Sequence, residues 1–91
     1  PGRKAAALEV MVDGALGVYV QRRAKTLLTF SQEEPRLAGA AQALVDVVRR
    51  GAVDKLFMEK VNGHDLLDTP IAAALASAGA YSTPKGLRIR A

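Results

Sequence analysis

The chain of 91 residues contains no cysteine and no tryptophan, and only two Phe, two Tyr and one His. Without cysteine there is no disulfide framework and no thiolate metal site. That is compatible with a cytosolic protein. The shortage of aromatics leaves few platforms on which a nucleobase could stack. It also means that the core must be built mostly from Ala, Leu and Val. No apolar run approaches the ~20 residues of a membrane-spanning helix. The N-terminal PGRKAAALEV has a basic start but lacks the apolar stretch and cleavage pattern of a secretory signal. Charge of one sign is not dominant either. Thirteen Lys and Arg against nine Asp and Glu leave a formal charge of +4. So mild an excess favours anionic partners such as nucleic acid and excludes little else.

What is present suits one domain. A chain this short hides about 60–65% of its unfolded surface on folding, enough for a single core. It opens on Pro1 rather than Met, so we expect a piece of a longer or processed protein.

LEVMVDG alternates, with Leu8, Val10 and Val12 on one face and Glu9, Met11 and Asp13 on the other. That is the period of a half-buried strand, and Asp13-Gly14 then signals a tight turn. ALGVYVQR alternates too, with Leu16, Val18 and Val20 expected to share the first strand's apolar face. The cluster Arg22-Arg23-Ala24-Lys25 interrupts, and TLLTF resumes the alternation. Three antiparallel strands joined by two turns follow. Ser31-Gln32-Glu33-Glu34 has the spacing of a capping box, and Pro35 is tolerated early in a helix. Leu37, Ala40, Ala41, Leu44, Val45 and Val48 form one helical stripe. Arg49 and Arg50 suit the negative end of the helix dipole, and Gly51 suits its stop. The helix should span about residues 33–50.

VDKLFMEKV reads as a fourth strand, with Leu56 and Met58 facing one way and Phe57, Glu59 and Val61 the other. Asn62-Gly63 is a turn signal. A second helix begins with Thr69 as cap and Pro70 at its first position, carries Ile71, Ala74, Leu75 and Ala78 as its stripe, and stops at Gly79. AYSTPKGLRIRA reads as a final hairpin around Thr83-Pro84-Lys85-Gly86, with Leu87 and Ile89 inward and Arg88 and Arg90 outward. The expected fold is α+β: a small, mostly antiparallel, barrel-like sheet with two packed helices, in the order β-β-β-α-β-α-β.

Few residues offer catalytic chemistry. A nucleophile needs a positioned base, and the one His, His64, lies in NGHDLLD with no Ser nearby in sequence. A solvated loop residue is the simpler reading of it. His64, Asp65 and Asp68 could hold a divalent ion if they converged, but the two acids more simply favour the following helix N-terminus. Glu33-Glu34 is the only adjacent acid pair, and helix capping accounts for it. Gly14-x-x-Gly17 lacks the Lys-Ser/Thr of a phosphate loop and reads as turn and strand packing.

The basic residues remain. Arg22, Arg23 and Lys25 sit at one hairpin tip, and Lys85, Arg88 and Arg90 on the final hairpin. If the hairpins are neighbours, the six make a rim that could hold phosphates. The competing reading is that they keep turns wet and strand edges unpaired. Tyr19 and Tyr81 are the candidates for stacking on a base, though packing roles suit both.

Several stretches together carry a family pattern: VDGALGVYVQRRAKTLLTF, ALVDVVRRG, KLFMEKVNGHDLLDTPIAAALASAGA and YSTPKGLRIR. They resemble the extreme C-terminal region of the large helicase-related (Lhr) proteins, bacterial ATP-dependent DNA helicases, over roughly residues 8–90. The shared pieces are turn and packing signatures, not catalytic motifs. The resemblance implies a cytoplasmic, nucleoid-associated parent acting in DNA repair, with ATP and Mg2+ used by its helicase core. It also implies a C-terminal region akin to bacterial DNA glycosylases, linked in some members to base removal. Neither a Walker lysine nor the Gln-x-Gln of those glycosylases is present, since Gln21, Gln32 and Gln42 stand apart. No catalytic residue and no cofactor can therefore be carried over to this piece. The expected role is non-catalytic: contact with DNA, single-stranded or duplex, or with other domains or subunits of the parent. A purely structural module and a part of a glycosylase-like barrel are the alternatives.

Overall fold

The computed structural model describes residues 7–30, 33–51 and 53–90. Three strands come first: β1 (Ala7–Val12), β2 (Ala15–Gln21) and β3 (Thr26–Thr29). The helix α1 (Glu34–Arg49) follows, then β4 (Lys55–Met58), β5 (Lys60–Val61) and β6 (His64–Asp65). The chain continues through α2 (Pro70–Ala78), β7 (Tyr81–Ser82) and β8 (Leu87–Arg90). The strands form a five-stranded sheet, β1-β2-β3-β5-β6, and a three-stranded sheet, β4-β8-β7. All pairings are antiparallel except β3 with β5. The class and the two helices are as expected. The sheet is instead two sheets, and neither closes into a barrel.

The two-residue turns follow from their chemistry. Asp13 (φ 53°) with Gly14 (φ 80°), and Asn62 (φ 51°) with Gly63 (φ 84°), place both central residues in the left-handed region. A hairpin turn of this twist requires that, and Asp, Asn and Gly tolerate it best. The register of β1 on β2 then slips: Val10 pairs with Val18, but Met11 pairs with Leu16. Gly17 is the extra residue of a bulge. A side chain there would meet Val12 Cγ2 at 2.8 Å and Ala40 Cβ at 3.2 Å. The bulge corrects one expectation. Leu16 lies opposite exposed Met11 rather than on the core face with Val18 and Val20, because one added residue inverts the alternation beyond it.

Helix α1 buries the stripe Leu37, Ala40, Ala41, Leu44, Val45 and Val48 and stops at Gly51 (φ 89°). Its N-cap is Glu33, with no side-chain capping bond. The expected cap Ser31 lies outside the described residues. Helix α2 starts as its sequence directs: Thr69 Oγ1 accepts from the Ala72 N–H at 3.2 Å and donates to the Leu66 carbonyl at 2.6 Å. It buries Ile71, Ala72 and Leu75. Both helices and both sheets contribute to one apolar core, and among the described residues no polar or charged side chain is buried.

The expected fourth strand breaks at Glu59. Its first half, β4, joins the small sheet and its second half, β5, joins the large one. The corner resets the alternation, so Leu56, Met58 and Val61 are all buried. The N–H groups of Glu59 and Lys60 at this corner both donate to the Lys25 carbonyl, at 2.8 and 3.2 Å. That carbonyl joins the β2–β3 tip to the junction of the two sheets.

Candidate nucleic-acid interface

The Arg22–Lys25 cluster is a four-residue turn closed by the Gln21–Thr26 pair. Inside it the Lys25 N–H donates to the Arg22 carbonyl at 3.2 Å, and Thr26 Oγ1 donates to the Ala24 carbonyl at 3.1 Å. Lys25 takes a left-handed φ of 55°, a conformation that costs a lysine energy. The carbonyl it thereby presents is the one that binds the Glu59 corner. Backbone hydrogen bonds hold the tip at the end of β4.

The other wall is the outer face of the small sheet. Pairing of β4 with β8 sets Lys55 opposite Arg90, Leu56 opposite Ile89, Phe57 opposite Arg88 and Met58 opposite Leu87. Period-2 alternation buries Leu56, Met58, Leu87 and Ile89 and turns Lys55, Phe57, Arg88 and Arg90 to the other side. Gly86, before β8, approaches the backbone of β4 so closely that a methyl group there would overlap the Met58 carbonyl oxygen.

Tip and sheet enclose an open cleft of about 710 Å³, lined by Arg22, Lys25, Lys55, Phe57, Arg88 and Arg90. Lys25 Nζ and Arg88 Cζ lie 5.8 and 5.9 Å from the centroid of the half-buried Phe57 ring, within cation–π range. Lys25 Nζ is also 4.0 Å from Glu59 Oε2, with both side chains partly exposed, so the ion pair contributes little. Lys55 and Arg90 face each other across the strands with like charge, an unfavourable arrangement. Among the described residues neither has a carboxylate within 4.0 Å. An anion seated between them would offset the repulsion.

Of the six basic residues expected to form the rim, Arg22, Lys25, Arg88 and Arg90 converge on this cleft. Arg23 is exposed on the tip and does not line it. Lys85 lies at the other end of the last hairpin, in a separate cleft with Glu59, Lys60, Asp65 and Asp68. Lys55 and Phe57 are the additions. The alternation of KLFM already placed both opposite Leu56 and Met58, but nothing local tied them to the two basic hairpins. Tyr19 is half-buried in the large sheet between Glu9 and Leu28. Tyr81, expected to pack, is 60% exposed; it stands on the two-residue edge strand β7 of the small sheet.

The remaining candidates stay apart from this cleft. His64 and Asp65 are exposed on β6, and Asp65 Oδ1 lies 3.4 Å from Lys60 Nζ. Among the described residues no three His, Cys, Asp or Glu side chains group to hold a metal ion. No described helix is long and apolar enough to cross a membrane.

No family model matches the chain. Two curated proteins do. The "Lhr helicase/ probable uracil glycosylase" of Mycolicibacterium smegmatis is 40% identical over 97 residues, covering 99% of this chain and 6% of that protein. The "Lhr helicase/uracil glycosylase" of Escherichia coli is 33% identical over 88 residues, covering 96% of this chain and 6% of that protein. The chain thus spans about 6% of the length of either relative.

Proposed function

We propose, from the premise that this chain is a small region of a large Lhr helicase, that it is a non-catalytic module contacting nucleic acid through the cleft around Phe57. The parent would be an ATP-dependent DNA helicase acting in DNA repair, with ATP and Mg2+ held by residues outside this chain. The observation that carries the reading is the convergence of Arg22, Lys25, Lys55, Arg88 and Arg90 on one cleft. Two of these are opposed like charges without a neighbouring carboxylate among the described residues. Cations arranged in this way suit a run of phosphates, which set affinity and orientation rather than sequence preference.

Salt dependence tests the reading. If all five cations meet phosphates of a single strand, log K falls with log salt at a slope of about −3.5. Raising salt from about 50 to about 200 mM then weakens binding about a hundredfold. Replacing Lys55 and Arg90 together by Ala should flatten the slope by about 1.4, whereas Arg23→Ala leaves it near the parent value. Absence of binding at low salt, or a double variant that binds like the parent, refutes the proposal.

A second reading concerns another surface of the domain and is compatible with the first. The outer face of the five-stranded sheet carries Met11, 55% exposed, with Leu16 opposite it and half-buried Tyr19 and Leu28 on neighbouring strands, and Phe30, also 55% exposed, follows β3 and lines a cleft with Leu16. We assign this apolar face to another part of the parent polypeptide, since the chain covers only 6% of its relatives and exposed apolar surface of this kind marks contact sites. Met11→Ser with Phe30→Ser in the full-length protein should increase proteolysis around this domain while the isolated chain remains monomeric. A concentration-dependent dimer of the isolated chain would give the face to a second copy instead.

A further inference from the structure

We propose that the outer face of the three-stranded sheet binds single-stranded nucleic acid by stacking bases on Phe57 and Tyr81, an inference that rests on the nucleic-acid reading above. The register is the starting point. Phe57 pairs with Arg88 across β4 and β8, and Arg88 pairs with Tyr81 across β8 and β7. The three side chains form one row, aromatic, guanidinium, aromatic, across the full width of the sheet. Strands stand about 4.8 Å apart, so the two aromatic positions are roughly 10 Å from each other. The next row, Lys55 with Arg90, runs parallel to it on the same face, and Arg22 and Lys25 border it from the β2–β3 tip.

Two of the protein's four Phe and Tyr residues therefore stand in this row. Tyr81 leaves 60% of its surface in water, which gains nothing for the core. Phe57 is half-buried, with its open side in the basic cleft. Arg88 between them can stack its planar guanidinium on a base as well as on Phe57. A row of flat groups edged by cations is the arrangement that holds single strands: bases lie on the aromatic faces, and phosphates run along the charges. A duplex cannot use it in this way, because its bases are already stacked and only its phosphates reach the sheet. The form preferred is thus single-stranded, with little dependence on base identity, since every base has a face to stack.

The test uses labelled thymidine strands of about 12 nucleotides, within the usual site sizes of single-strand binders. An abasic strand of equal length and a duplex serve as comparisons. The thymidine strand should bind about tenfold or more tighter than the abasic strand, consistent with base–aromatic stacking. Tyr81→Ala should weaken thymidine binding about tenfold and leave the salt slope unchanged, since no cation is lost. Phe57→Leu, which keeps apolar bulk, should act in the same direction with the circular dichroism spectrum intact. Tyrosine fluorescence, readable because the chain has no tryptophan, should be quenched on binding, with the quench largely lost in Tyr81→Ala. Equal binding of thymidine and abasic strands, with Tyr81→Ala neutral, would overturn base stacking while leaving the phosphate reading intact. Salt-insensitive binding, or none, to every ligand overturns both.

Discussion

The opposition of Lys55 and Arg90 across β4 and β8 makes Lys55→Thr a sharp perturbation, because its effects on stability and on binding should have opposite signs. Like charges directly opposite each other cost a sheet roughly 0.2–1 kcal/mol. Both residues are exposed, which places this pair near the middle of that range, at about 0.5 kcal/mol. Threonine also favours the strand more than lysine does. For a domain of this size, a gain of about 0.5 kcal/mol raises Tm by roughly 2–4 °C. Thermal unfolding followed by circular dichroism measures it. The gain should shrink as salt rises, since the Debye length falls from about 30 Å at 0.01 M to about 3 Å at 1 M. Binding to single-stranded DNA should meanwhile lose about 0.7 from its salt slope. Because β4 is an edge strand and edge lysines discourage pairing between molecules, Tm is compared at two protein concentrations. A variant that melts lower than the parent at low salt, with an unchanged salt slope, would refute both the strain and the site.

Two further substitutions probe the scaffold that sets the cleft. Gly86→Ala places a methyl group against the Met58 carbonyl oxygen, with the Met58 carbonyl carbon and Glu59 Cα about 3 Å away. All three are backbone atoms, so β8 must shift from β4. We expect a loss of about 2–3 kcal/mol in urea unfolding, and a change below about 0.5 kcal/mol would contradict the close approach. Thr69→Ala removes the α2 cap bonds to Ala72 and Leu66; it should cost about 1 kcal/mol, and Thr69→Ser should restore most of it.

The local features are those that chain chemistry makes legible. The α1 stripe from Leu37 to Val48 is buried residue for residue, since a period of 3.6 in apolar side chains has one helical solution. Thr69-Pro70 starts α2 and Gly79 ends it because cap chemistry acts within a few residues. Asp13-Gly14 and Asn62-Gly63 turn where they should for the same reason. Two misreadings share a physical origin. Leu16 leaves the core face through the bulge at Gly17, and VDKLFMEKV divides at Glu59 between two sheets. In each, an alternation that is regular in sequence is interrupted by a backbone event that the side-chain pattern does not record. The candidate site was half legible for a related reason. Arg22, Lys25, Arg88 and Arg90 could be named as basic hairpin residues, whereas the parts of Lys55, Phe57 and Tyr81 depend on which strands lie side by side.

By itself the sequence determined the α+β class, both helices, the buried stripe of α1, the cap and stop of α2, the tight turns, and the outward direction of Arg88 and Arg90. These follow from interactions among residues a few positions apart. The α2 stripe it suggested, Ile71, Ala74, Leu75 and Ala78, is instead Ile71, Ala72 and Leu75. Only the tertiary structure decided that the two basic hairpins flank one cleft, that Lys55 opposes Arg90, and that Phe57, Arg88 and Tyr81 share a row. The determinants are the Lys25 carbonyl meeting the N–H groups of Glu59 and Lys60 and the registers of β8 with β4 and β7. The carbonyl contact and the β4–β8 pairing join backbone groups some thirty residues apart. Backbone hydrogen bonds of that range are nearly independent of the side chains at either end, so the residues involved do not announce them.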